Sequence, residues 1–430
     1  MSTNKPRKEA FQSPKGMHDI SGDKYYAYQG LFEKAQEIAV YYGFKPISTP
    51  IVEQQELFET TIGVGTDIVD KEMYTLKTKG GDQLALRPEF TAGVMRSYIE
   101  NGMISEPQPI MLYSHGPVFR HDKPQRGRYR QLHQFNLEVL GTKKSIADAL
   151  IIKSTALILE EAGAKDLVID INSIGDKESR TAYLKELNNY YKKHLNLMPA
   201  EARERLKTNP LRLLDSKDPK MIAINEDAPE AVASLNPESK KHFKEVLEYL
   251  DEMGINYRLN KNLVRGLSYY THTVFEIVVP GDVETGPLSV AGGGRYDYLG
   301  TMLGSKKEIP AVGAAIGMDR VVEAEWFNGL NPKIVKKPKC YFIQLGFDAK
   351  LKALPIIDIL RKGHIPVMQS LTKDSLTSQL AIAERIGVPY VIIFGQKEAI
   401  EKSVIVRDMS KHSQKTVKID KLIEYLKEMK

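Results

Sequence analysis

Between residues 23 and 42 (DKYYAYQGLFEKAQEIAVYY) apolar side chains recur at helical spacing, and Gly43 stands where a helix C-cap is expected. The run FKPISTPIVEQ that follows is extended and interrupted by Pro46 and Pro50. DQLALR at 82–87 alternates like a half-buried strand and is closed by Pro88, and residues 90–101 return to helical spacing. Two runs, 110–119 (IMLYSHGPVF) and 132–140 (LHQFNLEVL), read as strands around the polar stretch RHDKPQRGRYRQ. The pattern predicts an antiparallel hairpin with a long basic loop. A helix over 146–162 and a strand at LVIDINSI come next.

From about 176 to 255 charged helical patterns dominate and strand signals are few, which predicts an inserted helical domain. Strands return at TVFEIVVP and SVAGG; the extended piece IPAVGAAIG then leads into a predicted helix, MDRVVEAEWF. Together these imply an α+β core on an antiparallel sheet. Residues 330–339 (LNPKIVKKPK) form a Pro/Lys-rich linker. Beyond it KCYFIQL, IPVMQ and PYVIIFG alternate with two helical segments, the signature of a separate βαβαβ domain with a mostly parallel sheet. The expected domains are therefore a disordered tail at 1–12, a core at 13–332 with the helical insertion at 176–255, and a C-terminal α/β domain at 333–430.

Charge changes the picture of that last domain. Residues 333–430 hold 19 Lys+Arg against 10 Asp+Glu, a net of +9, whereas the whole chain carries only +6, so residues 1–332 are at −3. The excess is either a solvated lysine-rich surface or a module that meets phosphates. The single cysteine, Cys340, excludes an internal disulfide and a cysteine-built zinc site. There is no apolar run of membrane-spanning length, and the first ten residues lack the apolar stretch of a secretory signal; a cytoplasmic protein with no membrane partner is expected.

Candidate chemistry concentrates between Arg120 and Glu138. Arg120, Lys123, Arg126, Arg128 and Arg130 place five cations within eleven residues, with Tyr129 among them. Arginine forks suit phosphate oxygens and aromatic rings suit bases, so the loop could hold a nucleotide triphosphate, an RNA end or both; a solvated basic turn is the plain alternative. Gln134 and Glu138 lie four apart and share one strand face. That face is either exposed or lies inward against a cationic or N–H-rich ligand that satisfies both groups. His115, His121 and His133 show no metal-binding spacing, and no metal site is expected. No phosphate-binding P-loop and no nucleophile elbow occurs. AGGGR at 291–295 requires backbone to approach closely either a ligand or another strand.

Several of these stretches resemble one family. TPIVE (49–53), GPVFRHDKPQRGRYRQLHQFNLEVLG and GAAIGMDRVV are similar to motifs 1, 2 and 3 of class II aminoacyl-tRNA synthetases. LRPEFTAG, LVRGLSYYTHTVFE and AGGGRYD resemble stretches that mark the histidyl-tRNA synthetases. The likeness runs from about Ser13 to the C-terminus.

The resemblance implies a class II antiparallel-sheet catalytic core with a helical insertion and a C-terminal α/β anticodon-binding domain. It implies ligation of L-histidine to tRNA(His) by way of a histidyl-adenylate, with ATP and Mg2+, in a cytoplasmic homodimer without a membrane or DNA partner. Arg120 and Arg265 would be catalytic at the α-phosphate, with Asp122, Arg128 and Arg320 also on ATP. Glu89, Thr91 and Gln134 would hold the ammonium group of histidine, and Glu138 and Tyr270 its imidazole, with Arg120, Arg265, Tyr269 and Tyr296 completing the pocket. Gln125 and Arg130 would meet the tRNA acceptor end. The chain departs from the family pattern at Ser268, where aspartate is usual, and at Phe90, where glycine is usual. A related reading, a non-charging synthetase-like regulatory subunit of histidine biosynthesis, shares the core but normally lacks the anticodon domain.

Overall fold

A computed structural model describes residues 11–63, 66–123, 127–279, 288–333 and 337–429. Most of the expected tail, together with Gln125 and Arg126, therefore lies outside the described residues. The chain divides into two compact units, Met1–Pro332 and Lys333–Lys430.

The first unit contains strands β1 (Lys45–Pro46), β2 (Val52–Gln54), β3 (Thr75–Lys77), β4 (Gln83–Leu86), β5 (Ile110–Phe119), β6 (Gln131–Leu140), β7 (Val168–Ser173), β8 (Tyr257–Leu259), β9 (Thr271–Val279), β10 (Leu288–Arg295) and β11 (Ala311–Gly317). Eight of them form one sheet in the order β1-β5-β6-β11-β10-β9-β7-β8. The six central strands pair antiparallel, and only the outer pairs β1–β5 and β7–β8 are parallel. β2, β4 and β3 make a small separate sheet.

The period of two along these strands sorts the sheet into two chemically different faces. Phe135, Leu137, Val139, Phe275, Ile277, Val312, Ala314 and Ile316 point to one face and are buried. There they pack against the helices Gly22–Tyr41, Ser145–Glu161 and Pro237–Glu252 through residues such as Leu31, Ala35, Ile151, Ile158 and Val246. Each of the larger side chains among them, Val, Leu, Ile or Phe, contributes roughly 1.5–3 kcal/mol by leaving water. The alternate positions Gln134, Asn136, Glu138, Gly292, Gly294, Gly313 and Gly317 occupy the opposite face, and the polar ones among them are also buried. The face that carries these polar side chains and glycines is the floor of the site, with Leu112, Leu140 and Val274 beside them.

The helices Lys177–Lys193, Ala200–Thr208 and Pro219–Glu226 have a core of their own, built on Tyr183, Leu187, Tyr191, Leu213, Met221 and Ile224. Val264, from the chain returning to the sheet, is buried in that core as well. The helix Pro237–Glu252, read from sequence as part of the insertion, instead buries Phe243, Val246 and Leu250 in the main core. The helix expected over 318–327 is short, Met318–Val322.

In the second unit, β12 (Cys340–Gln344), β13 (Val367–Gln369) and β14 (Tyr390–Phe394) are parallel. β15 (Ser403–Asp408) and β16 (Gln414–Lys418) continue the sheet antiparallel, so it is mixed. Alternation again divides it: Cys340 and Phe342 face the helices Phe347–Lys362 and Leu422–Glu428, while Tyr341 and Ile343 face Leu376–Ile386.

Candidate active site

Glu138 is the centre of the polar face. Only 1% of it is exposed, and its two oxygens accept hydrogen bonds from Thr91 Oγ1 at 2.7 Å and from the Tyr296 hydroxyl. Burial pushes its carboxyl up to about 8; the Tyr296 and Thr91 bonds oppose that rise, and nearby Glu89 adds to it. A carboxyl poised near neutrality can donate to one imidazole nitrogen when protonated, or accept from the other when ionised. Burial also holds the Tyr269 and Tyr296 hydroxyls well above their usual range, so both remain donors. Four positions along β6, Gln134 shares this face and its Oε1 is buried with no partner among the described residues. Asn136, between them, has a buried Nδ2 in the same condition.

Glu89 precedes the helix Thr91–Glu100, whose first N–H groups have no intrahelical acceptor. Its carboxylate accepts from the N–H of Thr91 and from that of Ala92 at 2.9 Å. The residue assigned from sequence to an ammonium ion thus also caps a helix, and burial raises its carboxyl above the usual range. Tyr269, Tyr270 and Tyr296 form one aromatic wall, with ring centroids 4.8 Å apart for Tyr269–Tyr270 and 5.8 Å for Tyr269–Tyr296. Tyr296 is placed by its neighbours. Arg295, fully buried, donates to Asp148 (2.9 Å), to Asp297 (3.0 Å) and to the carbonyl of Thr142 (3.0 Å).

The glycines of AGGGR serve these side chains. A Cβ on Gly292 would stand 2.7 Å from the Arg265 guanidinium, and one on Gly294 would stand 2.9 Å from the Tyr270 ring. Gly293 faces the neighbouring strand, where a Cβ would meet the Gly313 carbonyl at 2.1 Å. Of the two alternatives left open by the sequence, the close approach to another strand is found at Gly293, while Gly292 and Gly294 make room for side chains of the site. On β11, a Cβ at Gly313 would fall 1.6 Å from Glu138 Oε2.

Four guanidinium groups converge beside this pocket. Arg265 pairs with Glu276 through Nη1 and lies 5.9 Å from the Tyr270 ring centroid, and its Nε is buried without a partner among the described residues. Burial works against its charge, but Tyr270 and Glu276 outweigh that effect and hold it above arginine's usual range. Arg120 donates from Nε to the Pro88 carbonyl at 2.9 Å. Arg320 donates to the carbonyls of Ser289 (2.6 Å) and Gly127 (3.3 Å). Its short helix is anchored through Asp319, which accepts from Tyr28 at 2.8 Å and from the His133 N–H. Burial, then the like charges of Arg128, Arg120 and Arg265, push Arg320 below arginine's usual range. Arg320 is thus held among like charges, an arrangement that suits an anion. Asp122 lies at their edge, 3.5 Å from Arg128 Nη1.

All the residues assigned from sequence to histidine or ATP are thus in one region, with Arg265 between the carboxyl pocket and the arginine cluster. Arg130 donates to the carbonyls of Asp122 (3.2 Å) and Lys15 (3.4 Å), which braces the loop. The two departures have local explanations. The Ser268 hydroxyl donates to the Ile62 carbonyl at 2.5 Å, a bond an aspartate could not donate. The Phe90 ring is buried beneath the Arg87 guanidinium, 4.0 Å from its Cζ. Sequence reasoning missed Glu276, Arg295 and Asn136. Glu276 carried a signal, a carboxylate inside the apolar run TVFEIVV.

A mostly antiparallel sheet whose polar face carries such a pocket and arginine cluster is the catalytic core of a class II aminoacyl-tRNA synthetase. Residues 16–321 match the family profile described as Histidyl-tRNA synthetase, and residues 339–429 match the one described as Anticodon binding domain. The chain belongs to the histidyl-tRNA synthetase family. It is 39% identical over 421 residues to the histidine–tRNA ligase of Fervidobacterium nodosum, covering 97% of this chain and 99% of that protein. With the histidine–tRNA ligase of Thermodesulfovibrio yellowstonii it shares 40% identity over 414 residues, 96% of this chain and 97% of the other. The crystal structure of apo Staphylococcus aureus histidyl-tRNA synthetase superposes with a TM-score of 0.80 at 31% identity, covering 97% of this chain and all of that one.

Proposed function

We propose that this protein ligates L-histidine to tRNA(His) in two steps. The histidine carboxylate attacks the α-phosphorus of ATP, and pyrophosphate leaves. A hydroxyl of the 3′-terminal adenosine then attacks the acyl carbon of the adenylate, and AMP leaves. The observation that carries this reading is the buried Glu138 carboxyl set beside four converging guanidiniums. Arg120 and Arg265 stabilise charge at the α-phosphate while Arg128, Arg320 and Asp122 hold the remainder of ATP. Glu89, Thr91 and Gln134 take the ammonium group; Glu138 and Tyr270 take the imidazole, with Tyr269 and Tyr296 closing round it. A site that pairs both ring nitrogens rejects apolar analogues, because its own polar groups would be left unpaired.

Mg2+ belongs to this reading as a companion of the ATP phosphates, which supply most of its ligands. Among the described residues no three His, Cys, Asp or Glu side chains converge into a metal cage. The basic Lys333–Lys430 unit binds the anticodon, the helical segment leans on the acceptor arm, and Arg130 with Gln125 meets the acceptor end. A homodimer is proposed through the motif 1 region, where Val40, Tyr41, Ile51 and Val52 are exposed; sedimentation at micromolar concentration should give a dimer, and a monomer would count against it. A cytoplasmic location is proposed; among the described residues no helix is long and apolar enough to cross a membrane.

The test is ATP–pyrophosphate exchange with each of the twenty amino acids in turn. Exchange with histidine alone is expected, followed by charging of tRNA(His). No exchange with any amino acid would favour a non-charging regulatory role and overturn the proposal.

A further inference from the structure

The chain that carries Arg265, Tyr269 and Tyr270 is held from the side by the helical segment. Val264, immediately before Arg265, is buried in that segment's apolar core with Tyr183 and Leu187. Arg212, from the same segment, lays its guanidinium against Gly266, where a Cβ would stand 3.3 Å from Nη1, and it pairs with Asp67 at 3.1 Å. Arg180, on the first turn of the helix Lys177–Lys193, donates from Nη1 to the carbonyls of Ser268 (2.9 Å) and Tyr270 (3.2 Å). Among the described residues no carboxylate pairs with Arg180. Its bonds go to the backbone of the substrate loop. On the opposite side, Ser268 is tied to the Ile62 carbonyl by both its hydroxyl and its N–H.

We infer that the helical segment is a positioning element for the amino-acid site, with Arg180, Arg212 and Val264 latching residues 264–270 so that Arg265 and Tyr270 meet the substrate in register. None of the three is among the residues assigned above to histidine or ATP. A single nitrogen, Nη1, bridges the carbonyls of Ser268 and Tyr270 on either side of Tyr269, a geometry that a lysine ammonium reproduces in part. Placement of the helical segment therefore sets the geometry of histidine activation before any tRNA arrives. The inference rests on the histidine-activating function proposed above.

The experiment compares the wild-type chain with Arg180→Met, Arg180→Lys and Arg212→Gln in pyrophosphate exchange, alongside thermal unfolding. Wild-type exchange with histidine checks the underlying function separately. In Arg180→Met the KM for histidine should rise between about tenfold and a hundredfold, the scale of a misplaced contact. The KM for ATP should stay within about twofold and the unfolding midpoint within a few degrees, with partial recovery in Arg180→Lys. Arg212→Gln should show the same split more weakly, and it tests the latch even where Arg180→Met fails to fold. In combination with Arg265→His, the Arg180→Met effect on kcat/KM should be largely absorbed, because the latch acts through Arg265 and its loop. Equal rises in both KM values, an unchanged histidine KM in a folded variant, or fully additive losses in the double variant would overturn the inference.

Discussion

Replacing Glu138 by glutamine should stabilise the fold while weakening the enzyme. The side chain keeps its shape and its acceptor for Thr91, but the buried ionisable group is gone. The carboxyl's rise from 4.5 to about 8 corresponds to roughly 5 kcal/mol, at about 1.4 kcal/mol per tenfold change in proton affinity. Because the folded-state value lies above the unfolded one, the wild-type protein is fully stable in this respect below pH 4.5 and loses stability as pH rises through about 8. Relative to wild type, Glu138→Gln should therefore gain nothing near pH 4, roughly 3 kcal/mol at pH 7 and roughly 5 kcal/mol above pH 8. In a unit of this size that is a rise of roughly 5 °C in unfolding midpoint at pH 7. The same substitution removes a charge-capable partner for the imidazole, so the histidine KM should rise by roughly ten- to a hundredfold with little change for ATP. Thermal unfolding followed from pH 5 to 9, paired with pyrophosphate exchange, measures both. A variant whose midpoint runs parallel to wild type across that range would refute the strained-carboxyl reasoning, and an unchanged histidine KM would refute the imidazole assignment.

Three further outcomes follow from the same geometry. Arg265→His should slow adenylate formation by about a hundredfold or more, as loss of a preorganised charge does, and single-turnover rates like those of wild type would remove the residue from the catalytic set. Gly313→Ala places a Cβ on the Glu138 carboxylate, 1.6 Å from Oε2, so calorimetry should find histidine binding abolished; retained affinity would refute the assignment of Glu138 to the histidine side chain. Asp148→Ala leaves buried Arg295 with Asp297 as its one remaining carboxylate among the described residues and should destabilise the first unit by about 3–5 kcal/mol in urea unfolding. Burial opposes ionisation of Asp148, but Arg295 and His242 outweigh it and lower its carboxyl; this contribution is present above the unfolded value and lost as pH falls through the folded one, so the gap between variant and wild type should narrow in acid.

Much of this was legible in one sequence because local rules carry it. Apolar spacing predicted the hairpin at 110–119 and 132–140, found as Ile110–Phe119 and Gln131–Leu140, since a strand's alternation is written directly in its side chains. The same rule put Gln134 and Glu138 on one face before anything showed that face to be buried. The helix expected to reach residue 327 ends at Val322, because propensity alone sets no endpoint without a cap or a packing partner. The hairpin Ser403–Lys418 escaped notice, and with it the antiparallel half of the second sheet.

By itself the sequence pointed to the kind of chemistry: arginines in a loop suited to phosphates, a Gln/Glu pair on one strand face suited to a cationic or N–H-rich ligand, and motif strings that together resemble one family. What required tertiary structure was every relation between residues distant in the chain. Arg265 and Gly292 are 27 positions apart, yet the glycine exists to admit the guanidinium. Glu138 sits at about 8 because the fold buries it, with Glu89 nearby, against the lowering pull of the bonds it accepts from Tyr296 and Thr91. Arg180 looks like any cation on a charged helix until the fold lays it against Ser268 and Tyr270. Desolvation, close backbone approach and bonds to distant carbonyls depend on what surrounds an atom, and a linear pattern records only what precedes and follows it.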